Sequence, residues 1–523
     1  MSLYIIQSAQ EAKLVTSQVV LTMDRTLASE YGGSLFVGFA ACAPKLIPDP
    51  LYRFFLCPSV EAKKHMAVAA PAGTRKMEAA LSEAGIDVVV AHPEHLEEVI
   101  GRETKVVGIT SNDPRGFGPA SSTFSSLLER KTFSALFFEQ TVEKVREILD
   151  SNGGGKLIVG GPGAWQLEDE EVLDKYGIDC VIIGEGEITG VEIVKRALRG
   201  EPIPRVVHGE MVPLERIPNI KHKTIGGLIE ISRGCGRGCR FCLPNLKFLR
   251  SRPLHQILEE VKINLREGSE GVCLHAEDVL RYGAKGPIPD ETKVIQLFEQ
   301  VSKLTPHVWI SHFAFASVAC RPDLIRKITE LLDSRGNKAP WYSGQVGIET
   351  ASPELVKRYM PGKPLPFKPE EWSEVVIRAH EILAENRWVP CSTLISGLPG
   401  ETPQDVELTI ELVEKLRGFK SLIVPLFFVP IGQLNGGQFF LKEHMLPEHW
   451  KLLATCMEHD FKWAPKLAEE HLHNRIQKFF VKEVVLRSFR HQLKGPLRLM
   501  KEGIDPTKEV SSAPISRLAP IEA

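Results

Sequence analysis

Two long stretches of this chain alternate strand-length apolar runs with amphipathic helical runs, and that alternation limits the fold most. From about residue 60 to 200 the runs are HMAVAAP, DVVVAHP, KVVGITSND, KLIVGGPGAW and DCVIIGEGE. Between them lie GTRKMEAALSEAG, HLEEVIG, TVEKVREILDS and DEEVLDKYG, and TGVEIVKRALRG follows the last. A second series begins at GGLIEISRG and continues through GVCLHAEDVLRYG, HVWISHFAFASV, SGQVGIETAS, VPCSTLISGLPGET and SLIVPLFFVPIG. Its helical runs include SRPLHQILEEVKINLREG, PDLIRKITELLDS, EEWSEVVIRAHEILAEN and PQDVELTIELVEKLRG. Strands separated by helices cannot pair as hairpins. Both stretches therefore predict α/β architecture with parallel sheets covered by helices. The first reads as a five-strand doubly wound, Rossmann-like domain. The second has six units, too few for a closed eight-unit barrel, and predicts a partial (β/α)6 barrel with its site at the strand C-termini.

The expected organisation is an extension over 1–60, the doubly wound domain over 61–200 and a proline-rich linker over 201–224. The barrel follows over 225–438, then a helical region over 439–502 and a disordered tail over 503–523. In the helical region, HNRIQKFFVKEVVLRSFRHQLK reads as a charged face touching protein rather than RNA. The 523 residues carry a net charge of −2, which offers nothing to attract nucleic acid or an anionic membrane. No apolar run is long enough for a span, and MSLYIIQSAQEAK lacks the marks of a secretory signal. The expectation is a cytoplasmic protein with no membrane or nucleic-acid partner.

Ten cysteines in such a chain are not a disulfide framework. Seven stand alone and read as small buried hydrophobes. Cys235, Cys239 and Cys242 sit together in SRGCGRGCRFCLPN, spaced C-x3-C-x2-C among Gly234, Gly236 and Gly238. A structural zinc site takes four ligands, usually as two pairs, and no fourth lies near. A disulfide would strand one thiol. A [4Fe–4S] cluster held by three cysteines leaves one iron open to bind a substrate or cofactor, and glycine lets backbone wrap the cluster.

CGRGCRFC resembles the C-x3-C-x-φ-C signature of the radical S-adenosylmethionine (SAM) superfamily. The resemblance implies a [4Fe–4S] cluster whose open iron binds SAM and whose electron cleaves it to a deoxyadenosyl radical. Phe241, just before the last cysteine, would shield one side of the cluster and is expected among the SAM-binding residues. QVGIET is similar to the fourth-strand motif, which places Glu349 on the SAM ribose. ISGLPGET is similar to the fifth-strand element, which places Ser396 and Gly397 along the adenosine. LHAED departs from the usual second-strand G-G-E, with Glu277 as the substitute and Asp278 as readily facing substrate.

GGPGAW, an acidic helix and DCVIIGEGE, directly upstream of that motif, resemble the cobalamin domain of cobalamin-dependent radical SAM methyltransferases. The resemblance implies cobalamin contacts from Ser111, Asp113, Gly160, Gly161, Gly163, Gly184, Glu185 and Gly186. Asp113 stands where many members carry the cobalt-binding histidine, so no histidine ligand is expected from SNDPRG. A bulky residue at Gly161 is expected to block the cofactor without unfolding the domain. The implied activity is C-methylation of an unactivated sp3 carbon with methylcobalamin as methyl donor and a reductant such as ferredoxin or flavodoxin. The chain resembles archaeal members, and one candidate acceptor is the Cα of a glutamine in methyl-coenzyme M reductase. A protein, a peptide or a small molecule all remain open as acceptor. The alternatives are cobalamin-dependent cyclisation or rearrangement of a lipid, tetrapyrrole or natural product, a methylthiotransferase and an iron–sulfur sensor. A methylthiotransferase would take a second cluster on three further cysteines, and Cys42, Cys57 and Cys180 lie far apart in sequence.

Overall fold

The computed structural model describes residues 17–31, 39–472 and 475–510. They form two compact units. The first takes in the residues up to 121 together with 131–228 and 262–269; the second takes in 122–130, 229–261 and the residues from 270 on.

The first unit is built on a six-stranded, all-parallel sheet. Its strands are β1 (Val19–Met23), β2 (Val88–Val90), β3 (Val106–Thr110), β4 (Lys156–Gly160), β5 (Cys180–Gly184) and β6 (Val206–Gly209), in the order β2-β1-β3-β4-β5-β6. Alternate side chains enter separate apolar clusters. Val20, Val107, Ile109, Val159 and Val181 pack with Phe138, Val142 and Leu149 of α2 (Phe133–Ser151), after α1 (Ala72–Glu83) in the chain. Val19, Leu21, Val106, Ile158 and Ile182 pack with Leu81 of α1 and Ile193 of α4 (Thr189–Leu198); α3 (Glu170–Tyr176) lies on the first face through Leu173. Each such side chain contributes about 1.5–3 kcal/mol on burial, so both faces hold the sheet.

Four expectations change here. The sheet has six strands, and its second position is β1, which lies in the stretch expected to be an extension. VVLTM is β-branched and buried at every position, whereas MAVAA is alanine-rich. That expected strand shrinks to Met66–Ala67, paired with Ala62–Lys63 in a two-residue ribbon. The sixth strand, β6, comes from the expected linker. HLEEVIG is a run of turns, too short before Gly101 to make a helix. The strand order reverses between β1 and β3, the place where such sheets bind ligands beyond their carboxyl ends.

The second unit holds six parallel strands in sequence order, in two groups of three. They are β7 (Leu228–Glu230), β8 (Val272–His275), β9 (Val308–Ile310), β10 (Tyr342–Glu349), β11 (Trp388–Ser396) and β12 (Leu422–Phe427). One parallel bridge, His312 to Gln345, joins the groups. Helices α5 (Leu254–Arg266), α6 (Glu291–Ser302), α7 (Pro322–Ser334), α8 (Trp372–Glu385) and α9 (Pro403–Leu416) alternate with these strands, as a partial barrel requires. The run HVWISHFAFASV is strand only at its start; Phe315–Cys320 is helical.

The helical C-terminal region begins with α10 (Pro447–His471). It is fastened to the barrel by Asp460, which accepts the Ile423 N–H at 2.9 Å, and by His459 at 2.9 Å from Ser421 Oγ. The expected disordered tail is helical over Pro506–Val510; residues 511–523 lie outside the described residues. Among the described residues no helix is long and apolar enough to cross a membrane.

Candidate functional site

The three cysteines lie just beyond β7, on a loop whose shape depends on glycine. Gly234, Gly236 and Gly238 have φ of 70°, 68° and 69°, conformations that side chains with a Cβ resist. A Cβ at Gly234 would sit 2.2 Å from the Phe248 carbonyl oxygen. The loop is pinned from several sides. The Cys235 N–H donates to Leu246 at 3.1 Å and the Arg240 N–H to Tyr359 at 2.8 Å, while Arg281 Nη1 donates to the Cys235 carbonyl at 2.6 Å. Gly432 comes so close that a Cβ there would lie 2.1 Å from the Cys242 carbonyl.

All three thiols are free and half-buried. The Arg237 N–H points at Cys235 Sγ from 3.5 Å, the orientation that favours a thiolate. Burial raises Cys235, while the hydrogen bond from Cys242 lowers Cys239 and correspondingly raises Cys242. Three thiols of one loop with no fourth are the donor set of a [4Fe–4S] cluster with an open iron.

Arg237, between the first two cysteines, is a residue that sequence reasoning passed over. Its Nη1 donates to the carbonyls of Gly362, Lys363 and Leu365 at 3.3, 2.9 and 3.1 Å. Its Nη2 reaches Asp278 Oδ2 at 3.2 Å and Ser317 Oγ at 2.9 Å. Asp278 also accepts from Ser317 at 2.7 Å and from the Ala314 N–H at 3.3 Å. The expectation that Asp278 faces substrate is corrected: the aspartate is buried and braces the cysteine loop. Glu277, its neighbour, is half-buried, and its charge reaches Cys235.

Glu349 ends β10 with φ 66°, after a register shift against β11 between Gly347 and Glu349. That bulge turns the carboxylate to Lys363, with Oε1 2.6 Å from Nζ, and Oε2 accepts from Thr393 Oγ1 at 3.2 Å. Burial lowers the Lys363 pKa, but the Glu349 charge outweighs it with help from Cys239, so the net direction is up. Lys363 thus joins Glu349 to the cysteine loop. Nothing in the spacing of MPGKPLP signals it; only the fold brings it there.

The ISGLPGET segment is more structural than expected. Gly397 has φ 86°, and the space where its side chain would be is filled by Phe440, 2.0 Å from a built Cβ. The Gly397 N–H donates to Glu401 Oε2 at 2.6 Å, and the same oxygen lies 2.8 Å from His449 Nε2 on α10. Thr402 caps α9. Ser396 is buried, its carbonyl accepting the Phe428 N–H at 2.9 Å. Phe241 packs with Leu355, Tyr359, Leu398 and Phe428.

In the doubly wound unit, the named residues gather where β3, β4 and β5 end. Ser111 Oγ donates to Asp24 Oδ2 at 2.9 Å, across the reversal between β1 and β3. Asp24 escaped the sequence reading because β1 did. Asp113 is occupied by protein: Oδ1 accepts the Gly118 N–H and Gln166 Nε2, both at 2.8 Å, and Oδ2 accepts from Ser134 at 3.3 Å. A Cβ at Gly161 would meet the Ser111 oxygen at 2.7 Å, and one at Gly163 the Asn112 oxygen at 2.4 Å. These two glycines make room for the 111–114 loop. A bulky residue at Gly161 therefore disturbs that loop and cannot act on a ligand alone. Gly160 differs: a Cβ there meets only the Ile182 oxygen, at 3.7 Å. Gly184 has φ 95°, and Gly186 faces Met77 Sδ at 3.0 Å from a built Cβ. Glu185 Oε2 accepts the Val212 N–H at 2.9 Å.

Residues 229–413 match the model of the radical SAM superfamily. The chain is similar to an uncharacterised protein of Methanopyrus kandleri, at 26% identity over 63% of this chain and 70% of that protein. It is also similar to the ribosomal protein uS12 methylthiotransferase RimO of Carboxydothermus hydrogenoformans, at 27% identity over 54% of this chain and 62% of that one. A tRNA-2-methylthio-N(6)-dimethylallyladenosine synthase of Thermotoga petrophila is 25% identical over 53% of this chain and 60% of its own. The chain thus spans about three fifths of those two enzymes. Among solved structures, the radical SAM methyltransferase TsrM of Kitasatospora setae, with cobalamin and a [4Fe–4S] cluster bound, superposes with a TM-score of 0.52. That match has 14% identity and covers 80% of this chain and 77% of that one. At that identity the likeness speaks for the fold.

Proposed function

We propose that this chain, which carries a radical SAM domain over residues 229–413, is a cobalamin-dependent radical SAM methyltransferase acting on an sp3 carbon. The observation that carries the reading is a pairing within one chain. Three free cysteines and the Glu349–Lys363 pair stand at the strand C-termini of a partial barrel, and a parallel sheet of order β2-β1-β3-β4-β5-β6 precedes it. The likeness in fold to the TsrM structure, which has cobalamin and a cluster bound and covers 80% of this chain, supports the reading.

The residues fit the groups this reading requires. Cys235, Cys239 and Cys242 would hold the cluster, with the Arg237 N–H directed at Cys235 Sγ. The Glu349 carboxylate keeps lone pairs for ribose hydroxyls after Lys363 and Thr393 have taken theirs. In the doubly wound unit, Gly160 ends a strand at the edge where such sheets bind ligands, and a Cβ there would make only an ordinary contact with the Ile182 oxygen, so protein does not crowd that position. When bound, the cluster supplies the electron that cleaves SAM, and cobalamin supplies a methyl group that a carbon radical can accept. The chain orients SAM through Glu349, holds Glu349 through Lys363 and keeps the thiols in place through Arg237 and Asp278.

The acceptor proposed is a protein, a peptide or a small molecule, with the glutamine Cα of methyl-coenzyme M reductase as a first candidate. The reductant would be a ferredoxin or flavodoxin of the cytoplasm. The similarity to methylthiotransferases supports a second reading, sulfur insertion. Against it, Cys57 packs with Tyr52, Phe133 and Phe137, while Cys180 packs with Val19 and Ile158, so these two thiols belong to separate cores.

Anaerobic turnover with methyl-labelled SAM, cobalamin and cell extract tests the reading. Methyl transfer yields 5′-deoxyadenosine and S-adenosylhomocysteine in equal amounts, after abortive cleavage is subtracted, and a product heavier by one methylene. Deoxyadenosine with a modified product but neither S-adenosylhomocysteine nor added methylene would replace the reading with cyclisation or rearrangement. A product that gains sulfur would replace it with methylthiolation.

A further inference from the structure

A second group of metal-donor side chains lies in the doubly wound unit. The ribbon formed by Ala62–Lys63 and Met66–Ala67 is turned by Lys64 and His65, at φ 48° and 68°. Both are non-glycine residues in the left-handed region, which such residues seldom enter. The turn is tied to the loop leaving β2. The His92 N–H donates to the His65 carbonyl at 3.0 Å, and Met66 bridges to Ala91.

That loop reads HPEHLEE over residues 92–98. His95 Nδ1 lies 3.5 Å from Glu98 Oε1, and the His95 and His65 rings meet edge to face at 5.3 Å between centroids. One donor atom from each of His65, His95 and Glu98 lies within 4.8 Å of the other two. The neighbouring groups are engaged elsewhere. Glu94 pairs with Arg25 at 2.8 Å and Arg53 at 3.3 Å, and Glu97 pairs with Lys144 at 3.1 Å. His92 accepts the Glu94 N–H on Nδ1 at 3.2 Å and places Nε2 3.1 Å from the Val60 carbonyl. Of the acids in this run, Glu98 alone faces the two imidazoles.

We propose that His65, His95 and Glu98 bind a divalent transition-metal ion of the zinc class, which staples the 62–67 turn to the loop after β2. Two imidazoles and a carboxylate form a zinc donor set, with water completing the tetrahedron. The left-handed backbone at His65 is what brings its ring to the other two. That conformation is the one a two-residue type I′ hairpin loop takes at both central positions, so the ribbon itself holds His65 in place for the ion. The site is independent of the radical chemistry and stands whether or not methylation is the reaction.

The test is zinc titration of the full-length, cluster-reconstituted protein against a competing indicator, with zinc X-ray absorption on the same sample. The expected result is about one zinc per chain in a shell of nitrogen and oxygen with imidazole outer-shell scattering. His95→Ala should weaken binding at least about 100-fold, since even partners behind the ligands are worth 10–100-fold. His65→Asn should do the same while keeping a residue that tolerates left-handed backbone. Iron content should be unchanged in both. Sulfur in the zinc shell, equal affinity in the variants or no binding at micromolar zinc would each overturn the assignment.

Discussion

Lys363 Nζ stands 2.6 Å from Glu349 Oε1, with the two side chains only 14% and 10% exposed. The pair fixes the acid that the proposed function places on the SAM ribose. Lys363→Met leaves a buried carboxylate without its cation, which costs about 3–5 kcal/mol in comparable pairs. Urea unfolding should show that loss, and equilibrium dialysis should show weaker SAM binding. Glu349→Gln should lower SAM affinity at least about tenfold, roughly the worth of one good hydrogen bond to a charged group. SAM affinity unchanged in both variants would remove the pair from the site.

Gly347 gives that pair its space. A Cβ built at Gly347 falls 1.7 Å from Glu349 Oε1 and 2.5 Å from Lys363 Nζ. The backbone there is ordinary strand, so Gly347→Ala adds a steric conflict without conformational strain. The expected outcome is native-like circular dichroism with SAM binding lost. Normal SAM binding in this variant would mean that the carboxylate works in another rotamer.

The cysteine loop is braced in a similar way by a pair that sequence reasoning did not assemble. Arg237 and Asp278, 5% and 1% exposed, lie 3.2 Å apart. Asp278→Ala should destabilise the barrel unit by about 3–5 kcal/mol, because the buried guanidinium loses its counter-charge. Asp278→Asn keeps the shape and should cost less, yet both should incorporate less iron on reconstitution. Iron and sulfide content per chain is the measurement, and full loading in Asp278→Ala would show that the loop holds its form unaided. Replacing any of Cys235, Cys239 or Cys242 by Ala should abolish SAM cleavage, with wild type holding about four irons per chain.

The barrel was readable because each strand is an apolar run ended by a turn and followed by a helix of matching period. The doubly wound sheet was misread at both ends. β1 lies in a proline-broken N-terminal stretch and is separated by some sixty residues from β2, its partner in space. β6 is a four-residue strand inside a proline-rich segment. The cysteines were legible because metal ligation fixes residue type and spacing together. Lys363 and Arg237 were not, since an ion pair or a brace needs only proximity, and proximity comes from tertiary structure. The glycines at 161, 163 and 397 show the converse limit. Sequence flags a position that excludes side chains but cannot tell whether ligand or protein fills the space, and there protein does.

His380 supplies a last expectation, on pH. It lies on α8, buried, with Nδ1 donating to the Val376 carbonyl at 2.8 Å and its ring stacked on Phe315 at 4.8 Å between centroids. Burial pushes its pKa down to about 4, with the Val376 bond opposing and the His459 charge adding. His459 is likewise lowered to about 4, first by burial. In the unfolded chain both return to about 6.5, so between pH 6.5 and 4 the unfolded state binds protons that the native state refuses. Stability therefore falls as pH falls through that window, by about 1.4 kcal/mol per unit for each histidine, and this contribution levels off below about pH 4. Urea midpoints followed by tryptophan fluorescence between pH 7 and 4.5 should show that slope; Trp372 on the same helix reports on this region. His380→Gln should flatten the slope by about one proton's worth. An unchanged slope in the variant would mean that His380 is protonated in the native state.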